Sequence, residues 1–206
     1  MTPSQIACMR AAIATLVDHV DELTALDQAI GDGDHGLNMK RGAEAIEARL
    51  PELETKSLND ALKIMGTICM GKIGGSAGPV FGTLLMTLSK ELPAEPAPAD
   101  LARALAASIA ALTRLGKAEV GQKTLLDVLD PVRKVLEGSG NAEGEALLAR
   151  VKQCALDAAD ATAKMDAIKG RASFLGERAL GHIDPGSRSM ALIVAAICDG
   201  LGSART

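Results

Sequence analysis

Three aspartates, Asp27, Asp32 and Asp34, lie within a stretch of eight residues. Carboxylates this close repel one another unless a cation neutralises them, and their oxygens suit Mg²⁺, which completes its octahedron with water and phosphate oxygens. The trio therefore predicts a magnesium-phosphate site, and two ions that share a carboxylate are feasible, as in phosphoryl transfer. The same spacing also fits a surface Asp27 followed by Asp32 and Asp34 in a turn or at a helix cap.

Other metals fit this stretch less well. An EF-hand calcium loop is excluded because the twelfth position counted from Asp32 is Ala43, where that loop needs a bidentate glutamate. Zinc could use His35, but one imidazole among hard oxygens, with no thiolate nearby, matches structural zinc sites poorly. Mg²⁺ is the better prediction.

Segment 74–79, with the sequence GGSAGP, leads into a predicted helix. Its glycines would let successive backbone N–H groups turn toward one anion, and the helix N-terminus would add partial positive charge. The pattern indicates a phosphate-binding nest, although a tight connection between two helices would have the same sequence.

Two later junctions, 116–124 and 169–187, also combine glycine with charged residues. Segment 121–124 imitates the end of a Walker A loop, but the full spacing and a preceding strand are missing, so a P-loop enzyme is disfavoured. Asp184 could orient a ligand, while capping of the last helix is the default interpretation. The basic residues of these junctions could each meet phosphate or be surface charges: Lys117, Lys123, Lys169, Arg171 and Arg178.

The elements that position these junctions are predicted to be helices. The chain has no Trp or Tyr and only two Phe, so its core must use small aliphatic side chains, whereas strands favour β-branched and aromatic residues. Apolar residues recur at helical spacing, first after a Ser4 N-cap candidate and onward to Leu23, with His19 as an ordinary helix residue. Seven further helices are predicted at 36–49, 58–72, 78–91, 99–115, 123–137, 142–168 and 187–201. The prediction is an all-α fold in one domain, residues 1–206.

Composition narrows the function classes. With 22 basic and 26 acidic residues the net charge is −4, so nucleic acid is not an expected partner. No export signal and no run of about 18 apolar residues is visible, so we expect a cytoplasmic protein without a membrane span. The four cysteines are scattered and are expected to be reduced core thiols.

In sequence order, four motifs resemble the nucleotide-binding L subunits of bacterial dihydroxyacetone kinases. They are LDQAIGDGDHGLNMKRG, GGSAGPVFGTLL, GKAEVGQKTLLDVLDPV and GRASFLGERALGHIDPGS, and the match runs from Leu26 to the last predicted helix. Two departures are visible. Many relatives read GGASGP, which puts a hydroxyl contact from Ser76 in doubt, and some carry methionine at Leu125, a volume-conserving exchange.

The resemblance implies an antiparallel eight-helix barrel with the nucleotide, ADP or ATP, at one mouth. Asp27, Asp32 and Asp34 would be the catalytic residues and would hold two Mg²⁺ ions against the phosphates. The other nucleotide-site residues implied by the motifs are His35, Gly36, Leu37, Asn38, Ser76, Ala77, Gly116, Leu125, Arg171, Asp184, Pro185 and Gly186.

The resemblance also implies how the reaction is divided between subunits. A partner K subunit would hold dihydroxyacetone, and this chain would bring the phosphoryl group. The donor would be either a phosphocarrier M subunit fed from phosphoenolpyruvate or free ATP. Alternatives left open by the sequence are another small ketose such as erythrulose, a nucleotide-bound regulator without catalysis, and an all-helical structural protein.

Overall fold

The computed structural model describes residues 1–140 and 144–203 and confirms the predicted all-α class, with no strand in those ranges. Its helices are α1 Pro3–Asp18, α2 Val20–Ile30, α3 His35–Glu47, α4 Leu50–Leu53, α5 Leu58–Lys72, α6 Ala77–Glu91, α7 Pro98–Gly116, α8 Leu126–Glu137, α9 Glu145–Ala161 and α10 Pro185–Ser203. Two 3₁₀ segments, Thr162–Lys164 and Arg171–Ala179, lie between α9 and α10. None of the helices in the described ranges is both long enough and apolar enough to cross a membrane.

The long helices pack in chain order. Helix α3 contacts α1, α2 and α5, each helix from α5 to α9 contacts the next long helix, and α10 packs against both α9 and α1. The last helix therefore returns to the first, and the contacts form a closed cycle. One large cluster of buried aliphatic side chains draws on helices from α1 to α10, including Leu23, Leu53, Leu129 and Met190.

The predicted first helix is wrong in two details. It is broken at His19, where the backbone leaves helical geometry at φ −105° and ψ 19° and the ring Nδ1 lies 2.8 Å from the Thr15 carbonyl oxygen. The apolar periodicity continues across this one residue and hides the break. The N-cap is Thr2, not Ser4, because Thr2 and Gln5 form a reciprocal capping box with Pro3 at the first helical position.

Other helix boundaries differ from the predicted ones by a few residues. Helix α8 begins at Leu126 instead of 123 because Lys123 has a left-handed backbone, φ +61°. The helix predicted over 142–168 ends at Ala161 and is followed by 3₁₀ structure. Its predicted start at 142 and 143 lies outside the described residues.

The two phenylalanines have opposite environments. Phe81 is buried in the core, whereas Phe174 is 89% exposed on the segment between α9 and α10. The four cysteines are free thiols, of which Cys69 and Cys198 are buried. Burial raises the pKa of Cys69 to about 12 and that of Cys198 to about 11. The core role predicted for all four cysteines therefore fits these two, whereas Cys8 and Cys154 are only partly buried.

Candidate functional site

The three aspartates meet where α2 ends and α3 begins. Asp27 lies in the last turn of α2 and is buried, while Asp32 and Asp34 belong to the connection 31–34. Each offers one carboxylate oxygen, and these three oxygens lie within 4.8 Å of one another. The structure thus places the three predicted ligands side by side.

Asp27, and not Asp34, caps α3. Its Oδ2 accepts hydrogen bonds from the backbone N–H groups of Asp34 at 2.8 Å and His35 at 3.1 Å. Asp34 occupies the N-cap position but makes no side-chain capping bond. The alternative drawn from spacing is therefore right about the position of Asp34 but not about its side chain, whose carboxylate accepts no capping hydrogen bond.

Glycine is required at two positions of this connection. A Cβ at Gly31 would lie 2.1 Å from Oδ1 of Asp27, so the carboxylate occupies the space of a side chain. Gly33 has φ +76°, a conformation that costs L-residues energy. The two glycines let the chain fold tightly around the carboxylate of Asp27.

Asp32 is paired with a cationic side chain from a distant part of the sequence. Arg171, on the segment before α10, makes an ion pair with Asp32. Both side chains are about half exposed, at 53% and 45%, so the pair contributes little to stability. Its importance is positional, because it brings the junction 169–187 to the aspartates.

His35 links the start of α3, next to the connection 31–34, to α10. Its Nε2 lies 3.1 Å from Oγ of Ser189, and a further hydrogen bond links the ring to the backbone of Pro185. Burial lowers the pKa of His35, with the opposing influence of Asp27 and Asp34 smaller. The imidazole is therefore neutral near pH 7.

The next predicted residues of α3 have different positions. Gly36 is buried against α2, where a Cβ would lie 2.2 Å from the Val20 carbonyl oxygen. Leu37 is 55% exposed. Asn38 is buried, accepts a hydrogen bond from Arg41 at 2.8 Å, and lies so close to Gly74 that a Cβ there would be 2.5 Å from its Oδ1. Segment 74–79 therefore lies next to segment 30–38, which contains Asp32 and Asp34.

Ser76 is the N-cap of α6, and Ala77 is the first residue of that helix. Ser76 is exposed and forms no side-chain capping bond, and Gly75 before it is left-handed with φ +62°. This is the backbone arrangement expected for an anion-binding helix start.

Asp184 caps α10, as the default interpretation predicted. Its Oδ2 accepts from the backbone N–H of Ser187 at 2.7 Å and from its Oγ at 2.9 Å. Burial raises the pKa of Asp184 to about 6 despite these bonds. Pro185 and Gly186 form the first turn of α10, next to the contact with His35.

The donor set fits Mg²⁺. Three carboxylates converge without a thiolate, and the connection that leads into α6 lies close to α3 where Gly74 meets Asn38. Hard oxygen ligands of this kind, with room left for phosphate oxygens, are the usual protein contribution to a Mg²⁺-phosphate site. Such an arrangement is suited to binding a phosphorylated ligand and to offsetting its charge.

Comparison with known proteins gives the family. The model of the DAK2 domain matches residues 29–199. The chain belongs to the DAK2 domain family. The resemblance predicted from the motifs is thereby confirmed.

Two curated relatives of this DAK2 chain are subunits of bacterial kinases. The ADP-binding subunit DhaL of PEP-dependent dihydroxyacetone kinase 1 from Listeria innocua is 40% identical over 172 residues, covering 83% of this chain and 82% of the relative. The corresponding ADP-binding subunit from Escherichia coli K12 is 38% identical over 172 residues, 82% of each chain.

A solved structure has the same fold. The dihydroxyacetone kinase from C. freundii, in complex with AMP-PNP and Mg²⁺, aligns with a TM-score of 0.76 at 23% identity. The alignment covers 97% of this DAK2 chain and 34% of that longer chain.

Two further predicted site residues of the DAK2 chain lie at the connection between α7 and α8. Gly116 ends α7 and Leu125 precedes α8, so they flank the connection 117–125. Leu125 packs against the main core.

Sequence reasoning missed the role of Lys123. The sequence leaves Lys123 as one of five basic residues that could each meet phosphate or be a surface charge. In the structure its side chain is 1% exposed, and its ammonium donates to backbone carbonyls near both ends of the segment 162–182. No local pattern distinguishes Lys123 from the other four. Ser189, the partner of His35, was also missed, because the two are 154 residues apart.

Proposed function

We propose that this chain is the ADP- or ATP-binding subunit of a dihydroxyacetone (glycerone) kinase. It would bind a magnesium nucleotide and transfer its phosphoryl group to a small ketose held by a separate K subunit. The observation that carries the proposal is the convergence of Asp27, Asp32 and Asp34, whose ligand oxygens lie within 4.8 Å of one another. The names of the relatives, ADP-binding subunits of dihydroxyacetone kinases, support the nucleotide and the acceptor.

The proposed architecture is one domain over residues 1–206, an antiparallel eight-helix barrel with the site at one mouth. The closed cycle of helix contacts supports it, because α10 returns to α1. Counting α1 and α2 as one broken helix and leaving out the four-residue α4 gives eight long helices within the described residues.

The aspartate trio would hold two Mg²⁺ ions, which supply charge neutralisation for the transferred phosphoryl group. The protein groups have separate tasks around them. Two backbone N–H groups fix the carboxylate of Asp27, and Arg171 is held beside Asp32 to meet phosphate. The remaining nucleotide contacts would come from residues at or beside the connections between helices. These residues are His35, Gly36, Leu37, Asn38, Ser76, Ala77, Gly116, Leu125, Asp184, Pro185 and Gly186.

A partner must provide the ketose site. The ring of His35 is already hydrogen-bonded to Ser189 and to the backbone of Pro185, so it is not free to act as a base toward a ketose. Two large apolar side chains are exposed close in sequence to site residues: Leu37 on α3 and Phe174 on the segment that carries Arg171. Exposed apolar residues around a polar site are typical of a protein-binding surface, and we assign it to the K subunit.

The phosphoryl donor is inferred from the relatives. They are named as subunits of PEP-dependent kinases, so we propose a phosphocarrier M subunit as the source of the phosphoryl group, with ADP kept bound between turnovers. Exchange of ADP for ATP is the second route. Either would operate in the cytoplasm, and the acceptor could equally be another small ketose such as erythrulose.

Reconstitution tests this function. Formation of dihydroxyacetone phosphate is measured for the chain alone, with a K subunit and ATP, and with K and phosphocarrier subunits and phosphoenolpyruvate. The chain alone should be inactive, because we propose that the acceptor site lies on the K subunit, and activity should appear when K is added. Asp34→Asn should lower that activity about 100-fold or more, because it removes one anionic ligand where charge develops in the transition state.

The matched control is Asp18→Asn, an exposed aspartate of α1 outside the site, which should keep wild-type activity. Asp34→Asn keeps the backbone N–H that bonds Asp27, so its helix content should not change. Full activity of Asp34→Asn would contradict the metal assignment. Tight nucleotide binding with no transfer under any donor would instead indicate a nucleotide-bound regulator.

A further inference from the structure

Lys123 is the largest fully buried side chain among the described residues. Its Nζ donates to the carbonyl oxygens of His182 at 2.7 Å, Ala179 at 2.8 Å and Thr162 at 2.9 Å, and the Met165 carbonyl oxygen lies farther away at 3.4 Å. An ammonium has three N–H donors, so the three short bonds use all of them. Lys123 therefore has neither the exposure nor a donor left with which to meet a phosphate.

The three carbonyls belong to the two ends of one loop. We name residues 163–181 the Arg171 loop, because it presents Arg171 to Asp32. Thr162 precedes the loop, Ala179 lies near its end, and His182 follows it. The base is also closed from within, by Gly181 N–H donating to the Ala163 carbonyl at 2.8 Å and Asp184 N–H to Thr162 Oγ1 at 3.0 Å.

Lys123 reaches this base from outside, from the connection between α7 and α8. Its own backbone is left-handed at φ +61°, an uncommon conformation for a lysine. A buried cation is stabilised only by partners that replace its water, and here the partners are backbone carbonyls at or near the two ends of the loop. The nearby carboxylates of Asp184 and Asp166 oppose the effect of burial, which lowers the pKa of Lys123.

The loop itself has few other anchors. Ala172 and Ala179 pack with Ile30 at the end of α2 in a small cluster separate from the main core. The exposed pair between Arg171 and Asp32 contributes little by itself. The position of Arg171 therefore depends strongly on how firmly the loop base is held.

We propose that Lys123 is a positioning residue of the nucleotide site: by joining both ends of the Arg171 loop, its ammonium holds the Arg171 guanidinium within reach of the aspartate trio and of a bound phosphate. This role rests on the proposed function, because it concerns the same site. Lys123 acts on the nucleotide through Arg171 and does not touch it.

A double-mutant cycle measures this dependence. The dissociation constant for MgADP is determined by calorimetry for full-length wild type, Lys123→Met, Arg171→Gln and the double variant. Lys123→Met should weaken binding about tenfold or more, because the loop loses its outside tie. In the Arg171→Gln background the same change should have less than a twofold effect, because the group that Lys123 positions is gone. A fully additive double variant would overturn the proposal.

Lys63→Met, an exposed lysine on α5, is the matched control and should bind MgADP as wild type does. If Lys123→Met does not fold, Lys123→Gln replaces it, since its amide keeps two N–H donors. Hydrogen exchange gives a readout that does not need the nucleotide. The Gly181 amide should exchange at least tenfold faster in the Lys123 variant, while α5 amides keep their rates.

The outcomes separate the two claims. If wild type fails to bind MgADP, the proposed function falls and this role falls with it. If wild type binds, and Arg171→Gln weakens binding while the Lys123 variants leave both affinity and Gly181 exchange unchanged, only the positioning role is overturned.

Discussion

At the scale of single residues, Asp27 shows how one carboxylate can serve fold and site together. Its Oδ2 accepts the two backbone N–H groups that begin α3, and the carboxylate still contributes an oxygen to the trio. A carboxylate has about four lone-pair positions, so two hydrogen bonds leave capacity for a metal. The same bonds fix the orientation of the ligand before any ion arrives.

Asp184 gives a residue-scale prediction about pH. Burial raises its pKa from 3.8 to about 6, so the folded state favours the protonated form. The resulting stabilisation is complete below pH 3.8 and is lost as pH rises through about 6. Relative to Asp184→Asn, wild type should therefore lose up to roughly 3 kcal/mol of unfolding free energy between about pH 4 and pH 7.

Urea unfolding at several pH values checks this prediction. The difference between the two proteins is the relevant quantity, because the other carboxylates titrate alike in both. Asparagine keeps an oxygen that can accept from the Ser187 N–H, so the cap of α10 is preserved. Parallel stability profiles for the two proteins would contradict a raised pKa at Asp184.

At the scale of elements, the connection 31–34 determines the geometry of the trio. Gly31→Ala would place a Cβ 2.1 Å from Asp27 Oδ1, so the carboxylate must move. We expect MgADP affinity to fall at least tenfold, with the helices intact. Gly71→Ala on α5, where a Cβ meets no atom within 4 Å, is the matched control and should keep wild-type affinity.

Calorimetric titration with MgADP, alongside circular dichroism, measures both variants. The control should also be somewhat more stable than wild type, by up to about 1 kcal/mol, because alanine favours an exposed helix interior. Unchanged affinity in Gly31→Ala would show that the trio tolerates a displaced Asp27, and would contradict the tight geometry described above.

Local signals in the sequence were sufficient for most helices and for the aspartate trio. Apolar periodicity locates a helix, and ligands within eight residues are brought together by one connection. The periodicity could not locate the break at His19, because the apolar pattern runs through it. Apolar periodicity also cannot predict contacts between residues that are far apart in sequence. Asp32 pairs with Arg171 and His35 with Ser189, and both partners lie near the other end of the chain.

At the scale of the whole molecule, the closed cycle of helices brings together junctions that are far apart in sequence. Asn38 adjoins Gly74, Asp32 pairs with Arg171, and Lys123 joins the connection 117–125 to the Arg171 loop. A ligand that contacts several of these junctions binds the folded chain and not the unfolded one. It must then stabilise the fold by mass action.

Thermal unfolding with MgADP, with and without EDTA, therefore tests the central claim most directly. At ADP concentrations about 100-fold above Kd, binding contributes about 2.7 kcal/mol, and Tm should rise by roughly 5 to 10 °C. EDTA, at matched ionic strength, should return Tm to within about 1 °C of the ADP-free value, because we propose that the carboxylates bind the nucleotide only through the metal. An ADP-dependent rise that EDTA leaves intact would contradict the assignment of Asp27, Asp32 and Asp34 as the metal ligands of a nucleotide site.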